Sequence, residues 1–272
     1  MKTILIAGGN SGIGLQAARS LLAHGHRLVL LGRDPRKGEA ALASFGTAAD
    51  RASFLAADLS THGGVRDAAQ RVLAQHDRID VLVHTTGVFT FEESRTADGL
   101  HPFFAVNYLS RYHLTQLLLP ALRQAGRPVV LMMTAAIPPT DETDFARFPE
   151  FTPFAFSRDR KPIQLANHHY AAHLTRAEPG LAAGVINAGS AKTDIMRIAP
   201  WYMRAGMKIL GPLVLDSVDT SAHNVVEAVQ HDDWHTPDYW AKPGRFEQRT
   251  PIALDAMTTQ RLMDASRNLT GA

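Results

Sequence analysis

The 272-residue chain contains no cysteine, which excludes disulfide staples and every thiolate site, whether nucleophile, redox pair or zinc ligand. It has no excess of one charge either: 28 Lys and Arg face 26 Asp and Glu, a formal net charge of +2, and the basic residues are scattered rather than gathered into a stripe. No nucleic-acid partner is expected from such a surface. No metal is expected: the 13 histidines never fall into HExxH, and the adjacent His168 and His169 point to different faces of a helix. Long apolar runs are missing as well. The opening MKTILIAGGN stops at glycines after about seven residues, too short to span a bilayer and without a signal peptide's cleavage region. The expectation is a cytoplasmic protein with no stable membrane insertion.

What is present is enough apolar surface to fold, 45% of the chain, with 20% charged residues, the balance of a globular protein. One domain over residues 1–272 is expected, because doubly wound α/β units reach this length. Runs rich in Val, Ile and Leu alternate with longer helical patterns. They predict strands over 2–8, 27–32, 53–57, 79–84, 128–134 and 184–187, and helices over 12–24, 36–44, 63–76, 102–124 and 160–176. Continuous apolar strands separated by helices predict a three-layer α/β/α fold, a parallel sheet covered on both faces. Two stretches interrupt the rhythm. Residues 137–157 hold four prolines and five phenylalanines, the composition of an ordered pocket loop. Residues 195–215, with Trp201, Tyr202 and Met203, read either as an apolar substrate lid or as a buried helix pair.

The first strand runs into AGGNSGIG. Gly8 permits the tight turn, Gly12 lets the backbone approach a pyrophosphate, and Gly14 lets helix pack closely on strand, with Asn10, Ser11 and Ile13 completing a phosphate cradle at a helix N-terminus. Arg33 ends the second strand about twenty residues later, where a carboxylate would hold a ribose 2′-hydroxyl and an arginine a 2′-phosphate. It favours NADP(H) over NAD(H), unless Arg33 and Asp34 are only a solvated pair. Asp58, with Leu59, ends the third strand, where a carboxylate can accept from the adenine amino group or simply cap a helix.

In order along the chain, AGGNSGIG, GRDPRKGEAA, AADLS, RIDVLVHTTG, RTADGLHPFFAVNYLSRYHLTQLLLP and KPGRFEQRTPIALD resemble the short-chain dehydrogenase/reductase superfamily, most closely its retinol-dehydrogenase-like branch. The resemblance implies a Rossmann-like fold, a nicotinamide cofactor, oxidoreductase activity, and a homodimer or homotetramer paired through the helices holding Asn107 and residues 160–176. It also implies four working residues: a tyrosine that moves a proton, a lysine that lowers its pKa and holds the ribose, a serine that orients the substrate oxygen, and an asparagine that supports a proton relay. Asn107 matches the asparagine and Thr134 the serine. Aligning QLAN with the branch's KLAN puts Gln164 at the lysine and Arg160 at the tyrosine. No YxxxK exists: the residues four beyond the five tyrosines are Tyr, Gln, Leu, Gly and Pro. The family's NNAG is HTTG, which leaves Thr85 and Gly87 as cofactor contacts, and the PG motif is Ala188-Gly189, with the nicotinamide-contacting Thr193 retained.

Hydride transfer to a carbonyl leaves an alkoxide that must be protonated. Arg160 stays charged at physiological pH, so it can polarise an oxygen or hold a carboxylate but cannot replace a phenol as proton donor. Gln164 can bond a ribose but carries no charge. Asp159, Lys161, His168 and His84 are the nearby proton-transfer candidates, each with an ordinary structural role as the alternative. Three readings stay open. The first is an atypical NADPH-dependent reductase acting on an activated imine or conjugated acceptor, its substrate lipophilic or aromatic. The second is a non-redox cyclase, isomerase or eliminase built in the old cofactor pocket. The third is a non-catalytic partner subunit of an active dehydrogenase.

Overall fold

The computed structural model describes residues 1–134, 143–187, 217–231, 238–240, 248–249 and 252–272. Thr193, Trp201, Tyr202, Met203, the rest of the 195–215 stretch and the first part of the 137–157 loop lie outside the described residues.

Alternation of strand and helix follows the sequence pattern. β1 (Thr3–Ala7), α1 (Gly12–Ala23), β2 (Arg27–Gly32), α2 (Pro35–Ala43), β3 (Ala52–Ala56), α3 (His62–Leu73) and β4 (Val81–His84) form the first half. In the second, α4 (Pro102–Phe104) passes through a π-turn at Ala105–Leu109 into α5 (Ser110–Leu122). β5 (Val129–Thr134), α6 (Phe156–Ala177), β6 (Ala182–Asn187), α7 (Val218–Gln230), β7 (Asp238–Trp240), β8 (Gln248–Arg249) and α8 (Ala256–Thr270) follow. The strands form one sheet in the order β3-β2-β1-β4-β5-β6-β7-β8, parallel from β3 to β7 and antiparallel at β8. This is the Rossmann-like doubly wound α/β fold.

Period-two alternation sends neighbouring side chains of each strand to opposite faces. Ile4, Ile6, Val81, Val83 and Leu131 pack with Leu21 of α1 and Val225 and Val229 of α7. Leu5, Leu82, Val130 and Met132 pack on the other face with Val65 of α3, Leu118 of α5, Ile163 of α6 and Leu262 of α8. The strand order reverses between β1 and β4, and the carboxyl ends of these two strands bound the crevice in which open α/β sheets bind ligands.

Most boundaries shift by one to four residues from the sequence reading, and three of the differences matter most here. The strand predicted from residue 79 begins at Val81. The helix predicted over 102–124 is broken by the π-turn that carries Asn107, a local widening often found at functional sites. The helix predicted from residue 160 begins at Phe156, because the Asp159 carboxylate accepts from the Ala155 N–H at 2.7 Å and satisfies the chain one turn earlier. Pro162 therefore lies inside α6 rather than in its first turn.

Candidate functional site

At the β1 end of the crevice the geometry is set by missing side chains. Gly8 has φ +91, and a Cβ there would stand 2.8 Å from both Thr85 Oγ1 and Thr86 N. A Cβ on Gly14 would overlap the Gly8 carbonyl. These two glycines bring the β1 turn, α1 and the HTTG turn into contact, and Thr85 locks them by donating from both N and Oγ1 to the Ala7 carbonyl, each at 2.8 Å. Ser11 caps α1 without a side-chain hydrogen bond, and no acidic residue occupies the first turn. The N-terminal N–H groups of α1 are left to an anion from outside. Ser11 and Gly12 are exposed, Ile13 half-buried, and Asn10 buried, its Nδ2 donating to the Asp34 carbonyl at 3.2 Å.

Arg33 is exposed at the end of β2. Asp34, exposed beside it, begins the next helix: its carboxylate caps α2, accepting from Arg36 N at 2.9 Å and Lys37 N at 3.3 Å. Asp58 is exposed and does not cap α3, whose cap is Thr61. Asp58 Oδ1 accepts from Ser60 N and Oγ. Leu59 has its side chain in the core, and Gly87 is exposed. A dinucleotide fits this half: a cradle a Cβ would fill, a helix end lacking an internal anion, and an exposed cation, Arg33, just past β2.

At the β4–β5 end, side chains hold the backbone. Asn107 grips the Val88 backbone in both directions, accepting from its N–H and donating to its carbonyl, each at 2.9 Å. Its own carbonyl accepts from Asn167 Nδ2 at 3.1 Å. Asn167, fully buried, also donates to the Gln164 carbonyl at 3.1 Å and accepts from Arg111 at 3.2 Å. Arg111 is 4% exposed and donates to the Met133 carbonyl at 2.6 Å and the Thr86 carbonyl at 2.9 Å. Burial pulls its guanidinium down to about 9, so it remains charged at neutral pH. Asn107, Gln164, Thr134 and the HTTG turn are thus brought together by Arg111 and Asn167, two residues the sequence reading did not select.

The other candidates have other occupations. Asp159 is buried, and burial pushes its carboxyl up. The Arg158 hydrogen bonds, the Ala155 N–H and the Arg147 charge outweigh that and hold it below the usual carboxylate range. It is a helix-start anchor, ionised at neutral pH. Arg160 is exposed, with Cζ 5.7 Å from the Phe156 ring centroid. Phe156 in turn meets Phe89 at 4.4 Å and Phe91 at 5.1 Å, so this arginine stands on an aromatic rim with Gln164 one turn further along α6. Lys161 is exposed. His168 is buried, and burial, with His169 beside it, pushes it down to about 3; it is a neutral imidazole at physiological pH. His84 Nε2 is paired with Thr115 Oγ1 at 2.9 Å, and burial, then Arg111, holds it well below the usual range. Neither histidine carries a proton to donate at neutral pH.

Signals for the two overlooked residues do exist. Arg111 interrupts an apolar helix in LSRYHLTQLLLP, and Asn167 belongs to the same QLAN that locates Gln164. Among the described residues no cluster of three His, Asp or Glu can hold a metal, and no helix is long and apolar enough to cross a membrane.

The family model for short chain dehydrogenase matches residues 2–137, half of the chain. Mouse polyprenol dehydrogenase is 29% identical over 291 aligned residues, covering 100% of this chain and 84% of that protein. Mouse retinol dehydrogenase 12 is 33% identical over 136 residues, 49% of this chain and 43% of the other. Among solved structures, the Pseudomonas aeruginosa RhlG/NADP active-site complex superposes with a TM-score of 0.69 at 20% identity, covering 89% of this chain and 95% of that one.

Proposed function

Because the chain belongs to the short chain dehydrogenase family, we propose that it is an NADP(H)-dependent oxidoreductase that works without the family's tyrosine and lysine on a lipophilic or aromatic small molecule. The observation that carries the reading is the cradle at the β1 end, where Gly8 and Gly14 leave room for nothing but backbone and α1 opens without an internal anion. Arg33 at the ribose edge supports a 2′-phosphate. A bound nicotinamide supplies hydride chemistry; the chain's own residues bind its phosphates, fix the turn beside it and shape the substrate mouth. Gln164, at the position where the family has its lysine, would bond the ribose. The aromatic rim of Phe89, Phe91 and Phe156 supports an apolar substrate, as do relatives named for retinol and polyprenol. With Arg160 and Gln164 at the tyrosine and lysine positions and His84 and His168 neutral, none of these four side chains protonates an alkoxide, which favours a substrate already activated toward hydride.

NADPH oxidation against carbonyl, imine and enone substrates tests this. Turnover that consumes one NADPH per product supports the reading. Product formed without net cofactor consumption points to a non-redox enzyme. Inertness toward every substrate, together with tight association with another dehydrogenase, points to a partner subunit.

A further inference from the structure

The HTTG turn puts a hydroxyl at Thr86 where the resemblance expects an alanine. In the β4–β5 register His84 stands beside Met132, so Thr86 and Thr134 leave the sheet at the same level on neighbouring strands. Arg111 confirms the proximity by bonding the carbonyls of Thr86 and Met133 with one guanidinium. Thr86 Oγ1 and Thr134 Oγ1 are both buried, and neither has a hydrogen-bond partner among the described residues. Arg111 Nε is in the same state. Native interiors rarely leave polar atoms unsatisfied, and these three belong to segments that the Arg111 hydrogen bonds hold side by side. Arg111 also makes no ion pair among the described residues; its hydrogen bonds there go to two main-chain carbonyls and one amide oxygen. The neighbouring polar side chains are spent: Asn107 on Val88, Thr85 on Ala7, His84 on Thr115.

We propose that the hydroxyls of Thr86 and Thr134, backed by the Arg111 guanidinium, hold the oxygen of a conjugated carbonyl substrate, an enone or enal, where the family's tyrosine would otherwise act. This deepens the oxidoreductase reading and rests on it. The sign of the buried charge selects the substrate class. A fixed cation in a dry site stabilises an oxygen that gains negative charge and penalises an iminium cation. When the β-carbon of an enone accepts a hydride from a reduced nicotinamide, the carbon–carbon π electrons move onto the carbonyl oxygen as an enolate. The enolate then takes one proton from water at the α-carbon. One double bond is reduced, one dihydronicotinamide is oxidised and one proton is consumed, with no acid needed at the oxygen.

The test uses 4-nitrophenol as a stand-in for the enolate, in the full-length protein without cofactor, with phenolate absorbance read against pH. The bound phenol is expected to ionise at least about one pH unit below the free compound, a tenfold preference for the anion. Thr86→Val with Thr134→Val should abolish the shift, whereas Thr86→Ser should restore most of it to the Thr86→Val single variant. With an enone and NADPH, the double variant should lose kcat while KM changes little. Failure of nitrophenol to bind, ionisation at the same pH as in buffer, or a shift that survives both valines overturns the clamp. If the double variant does not fold, the two single variants decide by the same readout. NADPH binding, followed by its fluorescence, is scored separately: an intact phenolate shift without NADPH binding overturns the oxidoreductase reading and leaves the clamp standing.

Discussion

At one end of the β1–β4 crevice Gly8, Gly12 and Gly14 offer main chain, and the ligand-facing groups are N–H donors of a helix end. At the other, the side chains of Asn107, Asn167 and Arg111 fix the backbone at Val88, Asn107, Gln164, Thr86 and Met133. The first end needs only that side chains be absent, a condition local in sequence. The second is assembled from the β4 turn, β5, α5 and α6, so Arg160 and Gln164 can stand where the resemblance expects a tyrosine and a lysine while the glycine turn keeps its geometry. A cofactor site and a reaction site can therefore part company within one fold.

The largest expected effect separates the ends by acid. His168 and His169 on α6 are buried and pushed down to about 3 and about 4, in both cases chiefly by burial, from an unfolded value near 6.5. Below about pH 6.5 the unfolded chain takes up protons that the folded chain refuses, so their stabilising contribution is complete above that pH and falls as pH drops toward 4. Each histidine costs up to about 1.4 kcal/mol per pH unit in that window. Urea melts from pH 7 to pH 4 should show the loss, and His168→Gln should flatten the curve. An unchanged slope in that variant would show that burial of His168 is not what makes the catalytic half acid-sensitive.

The next effect strikes the nucleotide end. Gly14→Val puts a branched side chain against the Gly8 carbonyl and Thr85 Oγ1, and overpacking there should destabilise the chain by about 3 kcal/mol and remove NADPH binding. Denaturant melts and NADPH fluorescence check it; retained binding would mean that the cradle does not hold the phosphates. Smaller still is Arg33→Ala, which should weaken NADPH roughly tenfold, about 1.4 kcal/mol, and leave NADH almost unaffected. Equal weakening of the two cofactors would deny Arg33 its 2′-phosphate.

The same division decides what can be read without coordinates. AGGNSGIG is legible because spacing alone fixes a strand, a turn and a helix end. The six principal strands and five helices are legible from apolar periodicity, with the start of α6 misplaced because the Asp159 side chain satisfies the Ala155 backbone across a turn. Asn107 is legible as a position, but the sequence does not show that its amide is committed to Val88. Thr86 and Arg111 are visible as odd residues but their pairing is not: it comes from strand register and from a guanidinium bonding the carbonyls of Thr86 and Met133 at once, which no local pattern encodes.

The central claim, hydride chemistry without a phenolic acid, is tested most directly by turning over an enone with NADPH carrying deuterium at C4 and locating the label. The account predicts deuterium on the β-carbon of the saturated product, one NADPH consumed per turnover, and slower turnover with the deuterated cofactor. Product that carries no label, or that forms while NADPH is conserved, contradicts it.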